Sequence, residues 1–323
     1  MAQNRPNSQA FIDAEQYSSF ILRNLHDGML PGTFYRNISD FGSGSQLHIK
    51  TLGTVTIQDG AEEVAFEYQP IESGEIFFTI TDHVGDAWYV TDELREDGTQ
   101  IESLMAERSS ESTRALQETF ETRFLAACNA AQVAGDPNKV NGFSHRIVAN
   151  DAANAGAATL NLDDLIYMKL AADKANVPMQ GRVLIVDPIC EASLNKQLNI
   201  THDVTPFGEK YLKDGFARDH SFLTNLFGWD IITSNRLPKG SFSGEEDRLG
   251  GAASVADGVV NIAMCVADDQ CKPMMGAWRR MPKVEGERNK DLRRDEFVTS
   301  ARFGFGAQRT DTLFTYITEA SVY

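Results

Sequence analysis

Alternating apolar and polar positions in the first hundred residues predict a pair of β-strands. Residues 46–57 are rich in β-branched side chains, with apolar residues such as Leu47 and Ile49, and residues 75–81 alternate in a similar way. A strand over residues 46–57 would be roughly 40 Å long. The connection through residues 58–74 is much longer than the usual loop of about 2–5 residues in a hairpin. The pattern therefore predicts a long hairpin that protrudes from its own domain.

The next apolar pattern has helical spacing and predicts one long helix. Residues 99–133 contain neither Pro nor Gly. The apolar positions that form the stripe are Ile101, Leu104, Met105, Leu116, Phe120, Phe124 and Ala127. Such a helix would measure roughly 50 Å. A coiled coil is the competing interpretation, but the polar residues between 108 and 112 interrupt the heptads, which favours one helix lying across a sheet.

Two shorter helical signals precede the long helix. A loose apolar stripe over residues 10–25 predicts an amphipathic helix in an N-terminal arm. Thr91 and Asp92 are suited to cap a short helical turn, and Asp97 and Gly98 interrupt it.

The rest of the chain mixes helical and strand patterns. Asn161 is placed to cap a helix that has acidic residues in its first turn and ends by Pro178. Strands are predicted over residues 182–186, 227–233, 259–266, 297–305 and 312–318. A Gly/Ser-rich segment over residues 240–258 is predicted to be a loop. The predicted fold class is α+β.

Composition limits the classes of function. The 323 residues are 42% hydrophobic, and 46 acidic against 30 basic side chains give a net charge of −16. The apolar runs are far shorter than the roughly 20 residues that cross a bilayer, and the N-terminus lacks a secretory pattern. A surface with this much negative charge argues against sequence-specific binding of nucleic acid. It suits either simple solubility or a container wall that does not hold its contents.

Few residues are arranged for chemistry. The cysteines Cys128, Cys190, Cys265 and Cys271 show no C-x-x-C spacing, and we expect them to be small buried hydrophobic residues. The six histidines stand singly, the Gly-rich stretches lack a following Lys-Ser/Thr, and no G-x-S-x-G motif occurs. The sequence therefore predicts no catalytic residue, no bound cofactor, no metal site and no enzymatic activity.

Two charged segments are candidates for contact between copies of the chain. The hairpin connection holds several acids and no base, and its candidate contact residues are Glu62, Glu63 and Glu67. Residues 278–294 hold seven bases and three acids, with candidates Arg279, Arg280, Lys283 and Arg288. We expect the acidic tip of one copy to bind the basic segment of its neighbour. The alternative is that these bases are protective charges on a solvated strand edge.

The order of elements resembles a known family. The residues that carry the resemblance are FGSGSQLHIKTLG at the hairpin, the helix end at 120–129, LDDLIYMKLAADKANVP followed by RVLIVDP, and MPKVEGER. They are similar to the Hong Kong 97-type coat protein of tailed bacteriophages, particularly of short-tailed phages. This resemblance implies a major capsid protein that assembles into pentamers and hexamers of an icosahedral head around genomic DNA. Encapsulin-type compartment shells share this fold, and a soluble α/β enzyme is the less favoured alternative.

The resemblance also implies a division of the chain and a set of partners. The implied segments are an N-terminal arm (1–45), an extended loop (46–90), a peripheral domain with a spine helix (91–160), an axial domain (161–277) and a closing peripheral β segment (278–323). The implied partners are other copies of the chain, a separate scaffolding protein, a portal protein, a decoration protein and non-specifically held double-stranded DNA, with no membrane. The implied location is the virion, with assembly in the host cytoplasm. Family members that crosslink use a lysine on the extended loop, where this hairpin has only Lys50, near its base.

Overall fold

A computed structural model describes most of the chain. It covers residues 30, 34–38, 46–53, 57–60, 62–63, 65–71, 73–98, 101–132, 139–149, 159–201 and 225–320. The helix expected over residues 10–25 lies outside the described residues. The fold is α+β, and two sheets carry most of the structure.

The described residues form four helices, and two of these helices begin at local capping signals. They are α1 (Asp92–Asp97), α2 (Ile101–Ala130), α3 (Leu162–Lys174) and α4 (Pro188–Thr201). Thr91 caps α1 by accepting a hydrogen bond from the Leu94 amide, and Gly98 ends the helix. The Asp164 carboxylate accepts a hydrogen bond from the Asn161 amide at 3.2 Å, which closes the first turn of α3. The long helix and the capped helix after Asn161 are both confirmed.

The strands are named here in chain order. They are β1 (Arg36–Asn37), β2 (Gln46–Leu52), β3 (Ser73–Thr79), β4 (Asp82–Thr91), β5 (Lys139–Val140), β6 (Phe143–Ser144), β7 (Arg146–Val148), β8 (Arg182–Val186), β9 (Asn225–Leu226), β10 (Trp229–Thr233), β11 (Lys239–Glu246), β12 (Ala252–Cys265), β13 (Met274–Asn289), β14 (Arg294–Ala307) and β15 (Leu313–Glu319). A 3-10 turn, Thr310–Thr312, precedes β15.

The larger sheet has seven strands and contains the main core. Its order is β7-β15-β12-β8-β10-β9, and β11 pairs with the outer part of β12. Strand β8 is buried at every position, as its continuous apolar run predicts. Helix α2 contributes Phe124, Leu125 and Cys128 to this core. The end of the long helix is therefore fixed to the larger sheet.

The smaller sheet has four strands in the order β1-β13-β14-β4. The middle of α2 packs on its inner face, where Leu116 meets Ala301 and Phe303 in one buried cluster. Phe120 stacks on Trp278 with ring centroids 4.1 Å apart. The long helix thus lies across a sheet, as its apolar stripe predicts, and reaches from one sheet to the other.

The predicted hairpin exists but is shorter than expected. Strands β2 and β3 pair in antiparallel register from Gln46↔Thr79 to Leu52↔Ser73. The 40 Å strand over residues 46–57 is wrong, because β2 ends at Leu52 and Ile57 lies outside any strand. At its base the hairpin buries Phe78 and Ile80 against Met275 and Ala277.

Three further expectations are corrected by the strand pairing. The segment over residues 240–258 is not a loop, because β11 and the start of β12 pair there with two register shifts that obscure the alternation. Phe227 and Gly228 form a turn with positive φ, so the strand predicted from residue 227 begins at Trp229. Helix α4, which begins at Pro188, was not predicted, because Asp187-Pro188 was interpreted only as the end of a strand.

The pairing also bears on the proposed division of the chain. Strand β4, assigned to the extended loop, pairs with β14 along its whole length. Strand β15, assigned to the closing peripheral segment, pairs with β12 and β7 in the larger sheet. The last strand therefore belongs to the larger sheet and does not complete the smaller one.

Candidate assembly surfaces

The connection between β2 and β3 forms the tip of the hairpin and presents its acids to solvent. Glu62 and Glu63 occupy a turn, and Glu63 has φ 64°. The Gln58 side chain bridges the two sides of the tip: it donates to the Glu67 carbonyl and accepts from the Glu67 amide, both at 3.0 Å. Within the described part of the chain, Glu62, Glu63 and Glu67 form no ion pair. These carboxylates are thus available to a partner.

Apolar side chains at the tip are the feature that the sequence analysis missed. Ile57, Phe66, Tyr68 and Ile71 are between 64% and 103% exposed. Large apolar residues grouped on one surface mark a site of association. The available signal was their occurrence in a segment too acidic and too short to bury them. The tip therefore combines apolar anchors with acidic residues.

The basic candidates lie on β13, and Arg280 and Lys283 share one acidic partner within their own chain. Glu285 binds Arg280 at 2.6 Å and Lys283 at 3.6 Å. All three side chains are substantially exposed. Arg279 is exposed on the same strand. Pairs of this kind contribute at most about 1 kcal/mol, so the bases can exchange partners at little cost.

Arg288 has a separate environment at the far end of β13. Its guanidinium donates to both oxygens of Asp92, at 2.5 and 2.6 Å, and to Asp295 at 3.1 Å. The hydrogen bonds from Arg288 hold the pKa of Asp92 below its ordinary value. This arrangement ties helix α1 to the end of the β13–β14 hairpin. The structure thus groups Arg280 with Lys283 and places Arg288 in a contact within the chain.

Exposed apolar residues accompany the bases on the smaller sheet. Met281 and Val284 lie on β13 among Arg280 and Lys283, and both are exposed. Val298 is exposed on β14 directly opposite Glu285. Arg280, Lys283 and Val298 lie on one side of the sheet with Glu285, whereas Val284 lies opposite the buried Thr299 and faces the other side. The side that carries Arg280, Lys283 and Val298 is called the β13 face below.

Two arginines join helix α2 to the larger sheet and its loops. Arg146 is buried and donates to both oxygens of Glu245 on β11 and to Asn129 near the end of α2, at 2.9 to 3.0 Å. Arg236 donates to Glu121 of α2 at 2.8 Å. The Leu30 amide donates to the other oxygen of Glu121 at 3.0 Å. These contacts fix the long helix to both the larger sheet and the N-terminal arm.

The described residues contain no helix that is long and apolar enough to cross a membrane. In the same part of the chain, no three His, Cys, Asp or Glu side chains are grouped so that they could hold a metal ion.

The long helix lies across one sheet and is anchored in the other, and the hairpin exposes apolar and acidic side chains. These features are those of a structural subunit that contacts copies of itself. A family model described as phage capsid protein matches residues 74–317, and the chain belongs to that family. No curated protein matches the sequence.

Solved structures with the same fold include phage capsids. The capsid of cyanophage P-SCSP1u aligns with TM-score 0.72 and 18% identity, covering 96% of this chain and 94% of that one. The mature capsid of bacteriophage PhiM1 gives TM-score 0.68 and 12% identity over 97% and 93% of the two chains. Mycobacterium phage Che8 gives 0.64 and 16% over 94% and 97%. The Hong Kong 97-type fold and the role as a major capsid protein of a phage virion are confirmed.

Proposed function

We propose that this capsid subunit builds pentamers and hexamers of an icosahedral head, and that the hairpin tip of each copy docks on the β13 face of its neighbour. The observation that carries the docking proposal is the exposure of Ile57, Phe66, Tyr68 and Ile71 on a hairpin whose base is packed against its own chain. A packed base holds the tip in position, and an exposed apolar tip gains free energy only when a partner covers it.

The two surfaces are complementary in both charge and polarity. The tip carries Glu62, Glu63 and Glu67 beside its apolar residues, and the β13 face carries Arg280 and Lys283 beside Val298, with Arg279 and Met281 exposed next to them on β13. Apolar burial contributes about 25 cal/mol per Å² and supplies the affinity. Exposed charges steer the encounter and set the register. On docking, Arg280 and Lys283 would exchange their ion pairs with Glu285 for ion pairs with the acidic residues of the neighbour's tip.

The test compares substitutions at the two kinds of tip residue. Phe66→Ser with Tyr68→Ser removes the anchors, and we expect a folded subunit that forms no shells. Charge reversal at Glu62, Glu63 and Glu67 should slow assembly most strongly at low salt. Leu104→Ser is the control, because Leu104 is an exposed apolar residue of α2 and not part of the hairpin. Electron microscopy and sedimentation measure shell yield, and circular dichroism checks folding. Normal shells from the Phe66 and Tyr68 variant would exclude the docking.

We further propose that a separate scaffolding protein directs assembly in the host cytoplasm, that a portal protein occupies one vertex, and that DNA is held without sequence preference. One chain that serves several positions in a closed shell must adopt several angles, so another component has to select one particle size. The acidic net charge supports a wall that does not hold DNA. Shells of irregular size are expected when the chain is expressed alone. Uniform shells under that condition would exclude the need for a scaffold.

A further inference from the structure

Arg302 of β14 lies on the β13 face, in one row with two other basic residues. The strand register places it opposite Arg280 of β13 on one side and opposite His83 of β4 on the other. Its chain neighbours Ala301 and Phe303 are buried against α2. Because side chains alternate along a strand, Arg302 points to the other side of the sheet, where it is exposed. The row therefore holds two arginines and a histidine and no acidic residue.

The two arginines of this row are not equally neutralised. Like charges directly opposite each other weaken a pair of strands. Arg280 is bound by Glu285 at 2.6 Å. Arg302 forms no ion pair with any residue that the structure describes. Its positive charge therefore does not stabilise the free subunit, and the group that suits it is an anion supplied from outside the chain.

The hairpin of the same chain leaves Arg302 uncovered. The base of the hairpin packs on β14 at Gly304, where a Cβ atom would lie 2.6 Å from the Thr79 carbonyl oxygen. Arg302 is the next residue of β14 on that side of the sheet, and Val298 is exposed further along the same strand. The chain's own hairpin thus covers β14 as far as Gly304, and the β13 face is open from Arg302 onward.

We propose that Arg302 binds a carboxylate at the hairpin tip of a neighbouring copy, and that this contact sets the register in which the tip docks. The inference rests on the proposed docking of the tip on the β13 face. The tip supplies Glu62, Glu63 and Glu67, and residues 58–74 contain no Lys or Arg. A guanidinium can donate to both oxygens of one carboxylate, so such a contact fixes direction as well as distance. The partner of the row is therefore a second copy of this chain.

The test compares Arg302→Gln with Arg123→Gln. Arg123 is an exposed residue of α2, so each change removes one positive charge but only the first removes it from the β13 face. Light scattering follows assembly of the full chain at low and at high salt. We expect Arg302→Gln to slow assembly about tenfold at low salt and much less at high salt, and Arg123→Gln to assemble at the original rate. The melting temperature of the free Arg302→Gln subunit should stay the same or rise, because a like-charge pair is removed.

A charge exchange tests the identity of the partner group. Arg302→Glu should prevent shell formation, because it places an acidic residue against an acidic tip. Combining Arg302→Glu with Glu62→Arg, Glu63→Arg or Glu67→Arg should restore shells in at least one of the three combinations. Absence of shells in all three would overturn the inference.

Other outcomes separate the role of Arg302 from the docking itself. If the Phe66 and Tyr68 variant forms no shells while Arg302→Gln assembles like Arg123→Gln, the tip docks without Arg302 and the inference fails alone. A lower melting temperature of Arg302→Gln, or slowing that is equal at all salt concentrations, would show a structural role and overturn the inference. Binding of DNA fragments by the free subunit that Arg302→Gln abolishes would assign the row to DNA instead.

Discussion

The guanidinium of Arg146 donates to both carboxylate oxygens of Glu245 at 2.9 to 3.0 Å, in the interior of the protein. The two residues are 99 positions apart in the chain and join β7 to β11. Arg146 also donates to Asn129 of α2, and its guanidinium lies 5.7 Å from the Phe242 ring centroid. A buried charge pair of this kind has its main effect when one partner is lost, because the other charge remains without a counter-ion.

Glu245→Gln should therefore lower the free energy of unfolding by about 3–5 kcal/mol. The neighbouring Glu246 supplies a matched control, since it pairs with Lys139 at 2.8 Å on the surface. Glu246→Gln should cost less than about 1 kcal/mol. Urea unfolding of the soluble subunit measures both. Equal losses in the two variants would show that burial of the Arg146 pair has no special effect.

His145 should make the subunit sensitive to acid. Its ring is buried 4.2 Å from the Phe314 ring centroid, and burial lowers its pKa to about 4, against 6.5 when unfolded. The unfolded chain then binds the extra proton, so stability should fall as pH falls from about 6.5 to 4, by on the order of 3 kcal/mol. His145→Phe should remove this dependence. An unchanged slope in the variant would assign the acid sensitivity to other groups.

Asp164 should act in the opposite direction. Burial raises its pKa to about 6, although Tyr316 and the Arg248 guanidinium, 3.3 Å away, favour the charged form. The folded chain binds the extra proton, so stability should fall as pH rises from about 4 to 6 and stay lower above that range. Asp164→Asn should raise stability at pH 7 by about 1–3 kcal/mol. Lower stability of the variant at pH 7 would mean that the ion pair outweighs the burial cost.

Gly304 sets how closely the hairpin base approaches the smaller sheet. A Cβ atom there would lie 2.6 Å from the Thr79 carbonyl oxygen and 2.8 Å from the Ile80 Cα atom. Gly304→Ala should displace the hairpin base and cost about 1–3 kcal/mol in urea unfolding. Gly240→Ala is the control, since its nearest neighbour would be Phe242 at 3.9 Å. If both variants unfold alike, the close approach has no energetic consequence.

Contacts between subunits should be noncovalent. Lys50, the hairpin's one lysine, lies opposite Glu75 in the strand pair and away from the tip. Particles boiled in denaturing detergent with reductant should give a single band near 35.7 kDa. A ladder of higher bands on that gel would show covalent links between subunits.

The sequence by itself determined the elements whose signals are local. The absence of Pro and Gly over residues 99–133 predicted helix α2, and the capping residues Thr91 and Asn161 marked where α1 and α3 begin. The continuous apolar run from Val183 to Val186 predicted a buried strand. The order of these elements was enough to indicate the capsid fold, because the order is a property of the sequence and does not depend on which elements pack together.

The tertiary structure alone decided which distant segments meet. Periodicity shows that a strand exists, but its partner depends on how whole faces pack, so the sequence could not place β15 in the larger sheet. The same reason explains the charged residues: Glu285 neutralises Arg280, and Glu245 pairs with Arg146, only because folding brings them together. Composition marked the hairpin tip as acidic. Only the folded chain showed that Phe66 and Tyr68 remain exposed there, because exposure is the outcome of packing elsewhere.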